Sequence, residues 1–301
     1  MHLLSTLILS SVGLTLAYEV PDNLKKLYDE HKGVECKNIL KKGLDDGGGT
    51  DDEMGYCGDI DGAIYLYSTA NGGSYGDMDI DCDGANETAG LCSNDQSGQG
   101  QTAFKSELQK NYGIEDLDAG IHPYVVFGTK DYFPQGNEDD VDPKEMQPLS
   151  VMAVVCGGNL HYAIWGDTNG HYATGEASLS LGQLCFPDED ITGDSGHTEK
   201  DVLYIGFKGK SALPGDETNW KAKDAKTFEE SIKSVGDKLV QGLGSAGSKG
   251  SSQGRVDDSS SSFTTSARTT TKSTTKSRTR VLSSTAPPMS TTAKAKSCRQ
   301  H

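Results

Sequence analysis

The chain is predicted to fold as a mainly β domain with peripheral α-helices, a barrel or a sandwich stabilised by disulfides. Three observations predict this. Seven short runs rich in apolar and β-branched residues, at 63–67, 77–82, 124–129, 150–156, 160–166, 176–181 and 202–207, alternate with Gly-, Asn- and Asp-rich segments. Helical periodicity is confined to three places. Six of the seven cysteines lie in the body of the chain.

Residues 1–17 carry no Lys, Arg, Asp or Glu, hold an apolar run from Leu7 to Leu16, and end Thr15-Leu16-Ala17. That pattern is a secretory signal peptide, too short to span a bilayer. Secretion permits disulfides, and six cysteines allow fifteen pairings. Cys82 with Cys92 is the local pair expected, across a Gly-rich loop. The first helix opens at Pro21, with Leu24, Leu27, Tyr28 and His31 on one face. The second covers 102–112. The third covers 224–243, with Phe228, Ile232, Val235 and Leu239 at helical spacing. Gly157-Gly158-Asn159 reads as a hairpin turn between two strands. The sequon Asn86-Glu87-Thr88 marks Asn86 as a glycosylation acceptor on a surface loop.

Composition divides the chain into the leader 1–17, a folded domain 18–243 and a tail 244–301. The tail is dominated by Ser, Thr, Ala, Gly and basic residues, so disorder and O-glycosylation are expected. Of 28 basic and 44 acidic residues, the tail holds ten and two, which leaves the domain at a net charge of −24. Such a body repels nucleic acid and anionic lipid and attracts a polycation. General solubility is the plainer reading.

Asp77, Asp79, Asp81 and Asp83 occupy alternate positions, so in a strand they line one face while Met78, Ile80 and Cys82 point the other way. Carboxylates about 7 Å apart repel and invite a cation, either a metal ion or an extended cationic ligand. Asp79-x-Asp81-x-Asp83-Gly84 matches the start of an EF-hand loop, but the twelfth position is Gly90 where Glu is needed. A different calcium site, and hydrogen-bonded structural aspartates, stay open as alternatives.

Asp167 follows the apolar run Ala163-Ile164-Trp165-Gly166, and Glu176 opens another in Gly175-Glu176-Ala177-Ser178. Two carboxyls where strands meet loops suit glycosidic hydrolysis, one protonating the leaving oxygen and one activating water. Gly166 and Gly175 would leave room for a bulky ligand. Apolar neighbours would raise the Glu176 pKa and keep it an acid. The alternative is a turn aspartate and a surface glutamate. No H-E-x-x-H helix or C-x-x-C pair is present. His122 is read as structural or substrate-lining.

Asp77 to Gly84, Ile121-His122-Pro123-Tyr124-Val125-Val126-Phe127-Gly128, and Trp165-Gly166-Asp167-Thr168-Asn169-Gly170 followed by Gly175-Glu176-Ala177-Ser178 resemble the fungal chitosanases of glycoside hydrolase family 75. The resemblance covers nearly all of 18–243. It implies a compact β-barrel core and endo-hydrolysis of β-1,4 links in chitosan with inversion. Asp167 and Glu176 fall on the family's essential pair. The acidic body then matches a polymer of glucosamine ammonium groups. Asp77, Asp79, Asp81 and Asp83 are expected to hold those groups, and Trp165 and Tyr124 to stack on sugars. No metal or cofactor is expected, and no nucleic-acid or membrane partner. A secreted monomer is expected, with the tail reaching the cell wall. A hydrolase of neutral glucan and a non-catalytic wall-binding protein are the competing readings.

Overall fold

The computed structural model describes residues 17–46, 53–69, 72–128, 146–169 and 173–244. All of them fall within one compact unit. The leader, most of the tail and Cys298 lie outside the described residues.

The element order is α1 (Asp22–His31), β1 (Ile39–Leu44), β2 (Met54–Cys57), β3 (Ala63–Ser68), β4 (Gly76–Met78), β5 (Ile80–Asp81), α2 (Lys105–Asn111), β6 (Tyr124–Val126), β7 (Val151–Cys156), β8 (Asn159–Asp167), β9 (Glu176–Ser178), α3 (Leu179–Cys185), β10 (His197–Phe207) and α4 (Ala225–Gly242). The strands form one curled sheet in the order β1-β2-β3-β10-β7-β8-β6-β9-β5, with β4 also paired to β10. Strands β3 and β7 are buried at every residue, as β8 is from Leu160 on. Both sheet faces are therefore covered there, which is why these strands read as continuous apolar runs. Gly157 and Gly158, at φ 53° and 76°, make the tight turn between β7 and β8.

Helix α4 starts at Asp224, whose carboxylate accepts the Thr227 N–H at 2.8 Å. It buries Phe228, Ile232, Gly236 and Val240 along one stripe and packs on β7 and β8. At Gly236 the helix lies so close to Tyr162 that a Cβ would fall 2.3 Å from the ring. The Asn23 side chain donates to the Val240 carbonyl at 2.8 Å and ties α1 to the end of α4. Disulfides join Cys36 to Cys57, Cys82 to Cys92 and Cys156 to Cys185. The local pair expected from sequence is among them.

Two readings change. The run 176–181 is a strand only to Ser178. Its hydroxyl then accepts the Leu181 N–H and starts α3. Strands β1 and β2 were not foreseen. β1 is an edge strand that is mostly solvent-facing, with Lys41 and Lys42 in its middle.

Candidate active site

Strand β6 runs between β8 and β9, and Val126 is the register partner of Asp167 on one side and Glu176 on the other. The two carboxyl-bearing residues thus flank one strand, two strand spacings or about 9.5 Å apart at the backbone. The register skips Gly166, so a bulge brings Asp167 opposite Val126. Gly166 does not leave room for a ligand, contrary to the sequence reading. A Cβ there would lie 2.5 Å from Tyr124 Cβ and 2.7 Å from Leu117 Cδ1. Gly175 is required by its backbone, at φ +96°, and by Leu66, 2.9 Å from a Cβ placed there.

Asp167 is 4 % exposed. Its Oδ1 accepts the Ala103 and Thr168 N–H groups at 2.8 and 2.6 Å. Its Oδ2 is buried with no hydrogen-bond partner among the described residues. Burial pushes its pKa up to about 7. The two N–H groups oppose the rise, and the charges of Asp83 and Asp116 add to it. Glu176 also rises to about 7, through burial first, opposed by a hydrogen bond from the Asn169 amide and reinforced by Asp79, Asp83 and Asp95. The segment that carries Ala103 is pinned by Asp116, which accepts the Thr102 N–H and hydroxyl at 3.1 and 2.6 Å.

The aspartate row runs directly into this pair. Met78, Ile80 and Cys82 face the interior, with Gly182 of α3 against Ile80 and Met78. Asp77 and Asp79 are half-buried beside Asp46 and Lys200. Burial and the Asp77 charge push Asp79 up to about 6. Asp81 and Asp83, each 8 % exposed, bring carboxyl oxygens within 4.8 Å of Asp167 and of one another. The loop after Cys92 straps the row in place: Asp95 accepts the Cys82 N–H at 3.2 Å, and Asp83 accepts the Gln99 N–H.

Tyr124 and Trp165 are 0 % and 1 % exposed, so neither ring offers a face to a sugar. The Tyr124 hydroxyl donates to the backbone carbonyls of Asp81 and Asp83 at 3.1 and 3.0 Å. Trp165 Nε1 donates to the Phe127 carbonyl at 2.9 Å, with Phe104 edge-on to the ring. Both are supports beneath the site. His122 is structural as well: Nδ1 accepts the Asp118 N–H at 2.9 Å, and Nε2 lies 3.2 Å from the Trp220 carbonyl. Asn86 is exposed on the loop after β5, its amide on Asp118 at 2.7 Å.

Other groups of potential ligands are held by disulfides or ion pairs: the Cys36–Cys57 and Cys156–Cys185 bridges, and His161 Nδ1 3.1 Å from Glu229. His197 holds Glu189 through Nδ1 at 2.9 Å and Asp201 through Nε2 at 3.1 Å. A cavity of 590 Å³ lies between α1 and the β7–β8 turn and contains neither Asp167 nor Glu176. Sequence reasoning missed Asn169, Asp116, Gln99 and Ala103 as site residues. Asn169 stood in the same motif as Asp167; the others act through loop closures that have no local pattern.

Two carboxyls of raised pKa at strand ends of a β-rich, acidic domain fit a glycoside hydrolase. Residues 78–242 match the fungal chitosanases of glycosyl hydrolase group 75. The chain is 57 % identical over 244 residues to endo-chitosanase B of Aspergillus oryzae, covering 81 % of this chain and 99 % of that one. Endo-chitosanase of Aspergillus fumigatus is 56 % identical over the same coverage. Endo-chitosanase C of Aspergillus oryzae is 36 % identical over 170 residues, 56 % of this chain and 39 % of that one. The chain belongs to this family of fungal chitosanases.

Proposed function

We propose that the protein is a secreted endo-chitosanase that cleaves β-1,4 links of chitosan with inversion, using Asp167 and Glu176. The observation that carries the mechanism is their placement on either side of Val126, Asp167 buried and Glu176 half-buried, with burial raising both to about 7. A backbone separation of two strand spacings supports this reading, since inversion needs widely separated carboxyls with a water between sugar and base. Glu176, with one amide donor, keeps its proton and gives it to the glycosidic oxygen as the C–O bond breaks. Asp167, with two backbone donors favouring its charge, takes a proton from the water whose oxygen bonds to the anomeric carbon. Ammonium groups of a bound chain lower the carboxyls around them and ionise Asp167 first.

Asp77 and Asp79, the exposed half of the row, are placed to receive glucosamine ammonium groups. The lysine beside them, Lys200, is engaged with Asp46 at 3.2 Å. We also retain the barrel reading: Asp79 alone separates β4, paired to β10, from β5, paired to β9. Glycosylation at Asn86, a monomeric state and wall association through the tail complete the proposal. Release of reducing ends from soluble chitosan tests it. Cleavage of carboxymethylcellulose instead would assign a neutral-glucan hydrolase, and release from neither would leave a binding protein.

A further inference from the structure

The Asp167 and Glu176 reading leaves one group without a task. Asp81, Asp83 and Asp167 bring carboxyl oxygens within 4.8 Å of one another, all three buried. Three negative charges at that spacing in a desolvated site repel too strongly to coexist. The site can relieve this by holding a proton.

The hydrogen-bond donors show where the proton sits. Asp167 receives two backbone N–H groups on Oδ1. Asp83 receives the Gln99 N–H, which favours its charge. Among the described residues, Asp81 receives only the Asp83 N–H, at 2.8 Å. Tyr124 cannot supply the missing proton, because its hydroxyl donates to the backbone carbonyls of Asp81 and Asp83. The other groups that act on Asp81 are acidic: Asp167 on β8 and Glu176 on β9. Asp95 and Asp116 stand behind Asp83, and Lys105 is engaged 3.8 Å from Asp116.

We propose that Asp81 is a positioning residue that keeps a proton shared with Asp83, so that the cluster carries two charges rather than three and Asp167 can ionise as the base. The Asp167 Oδ2, buried with no hydrogen-bond partner among the described residues, is the oxygen the arrangement leaves for the attacking water. This inference rests on Asp167 being the base. It removes Asp81 from the ammonium-binding row, where the sequence reading had put it.

The test is a pH titration of the protein labelled with carboxyl-¹³C aspartate. The signal lost in Asp81→Asn should titrate well above its ordinary 3.8 and at a higher pH than the signal lost in Asp167→Asn, with Asp83→Asn lowering it. Asp81→Asn keeps the shape and the neutral charge. Its kcat should therefore stay well short of the hundredfold loss expected for an acid or base group, with KM and salt dependence unchanged. An Asp81 signal titrating near its ordinary 3.8 would overturn the proposal. So would a raised KM with weaker salt dependence in Asp81→Asn, or millimolar calcium that shifts the signal and raises Tm. The titration needs no turnover, so it stands apart from failure of Asp167 as the base.

Discussion

Replacing Glu176 with Gln should stop turnover and stabilise the protein at neutral pH. In the folded protein this carboxyl is raised from 4.5 to about 7. A folded pKa above the unfolded one means that the folded state binds the proton more tightly. The stability this gives is fully present below pH 4.5 and is lost as pH rises through about 7. One pKa unit is about 1.4 kcal/mol, so ionised Glu176 destabilises the fold by about 3 kcal/mol above that range. Gln removes the charge and still offers an oxygen to the Asn169 amide. For a domain of this size 1 kcal/mol moves Tm by roughly 2–4 °C, so the variant should melt roughly 6–12 °C higher at pH 8. At pH 4 the two proteins should melt together. Thermal unfolding of both from pH 4 to 8 measures this, with reducing-end release on the same samples. The loss of kcat should be on the order of a hundredfold or more. A pH-independent difference in Tm, or a variant less stable than the parent at pH 8, would refute the burial argument.

Other outcomes follow from particular contacts. Asp79→Asn should raise KM for chitosan and flatten its dependence on salt, since this half-buried carboxyl is proposed to meet the cationic chain; steady-state kinetics at two ionic strengths checks this. Gly166→Ala should cost roughly 1–3 kcal/mol and lower kcat, because its Cβ would strike Tyr124 at 2.5 Å next to Asp167; denaturant unfolding and turnover read both effects. Removing the Cys82–Cys92 bridge, with a separation of 10 residues, should cost roughly 2–3 kcal/mol. It should also raise KM, because the bridge holds the aspartate row. The first product observed by NMR should carry the α configuration, and a β product would replace inversion with a covalent intermediate.

The strands were legible where burial on both faces wrote continuous apolar runs, as in β3, β7 and β8. Strand β1 was not, because an edge strand can carry Lys41 and Lys42 without penalty. Helix α3 hid behind Ser178, a residue that ends a strand and caps a helix with the same hydroxyl. In the site, Asp167 and Glu176 could be read from their strand-end positions. Their register with Val126 could not, because a one-residue bulge at Gly166 sets it. The aspartate row was visible as a periodic pattern. Its division into a half-exposed end and a buried end against Asp167 depends on the loop 92–102 folding over it. Trp165 looked like a sugar platform because it neighbours Asp167, yet the bulge at Gly166 pairs Trp165 with Val125 and Asp167 with Val126, and the Trp165 and Tyr124 side chains are both fully buried.

The central claim is that Asp167 is the base opposite Glu176. Reducing-end release from soluble chitosan by Asp167→Asn tests it most directly, with Tm recorded on the same preparation. The account predicts a loss on the order of a hundredfold or more in a protein at least as stable as the parent. Near-normal release from that variant would contradict it.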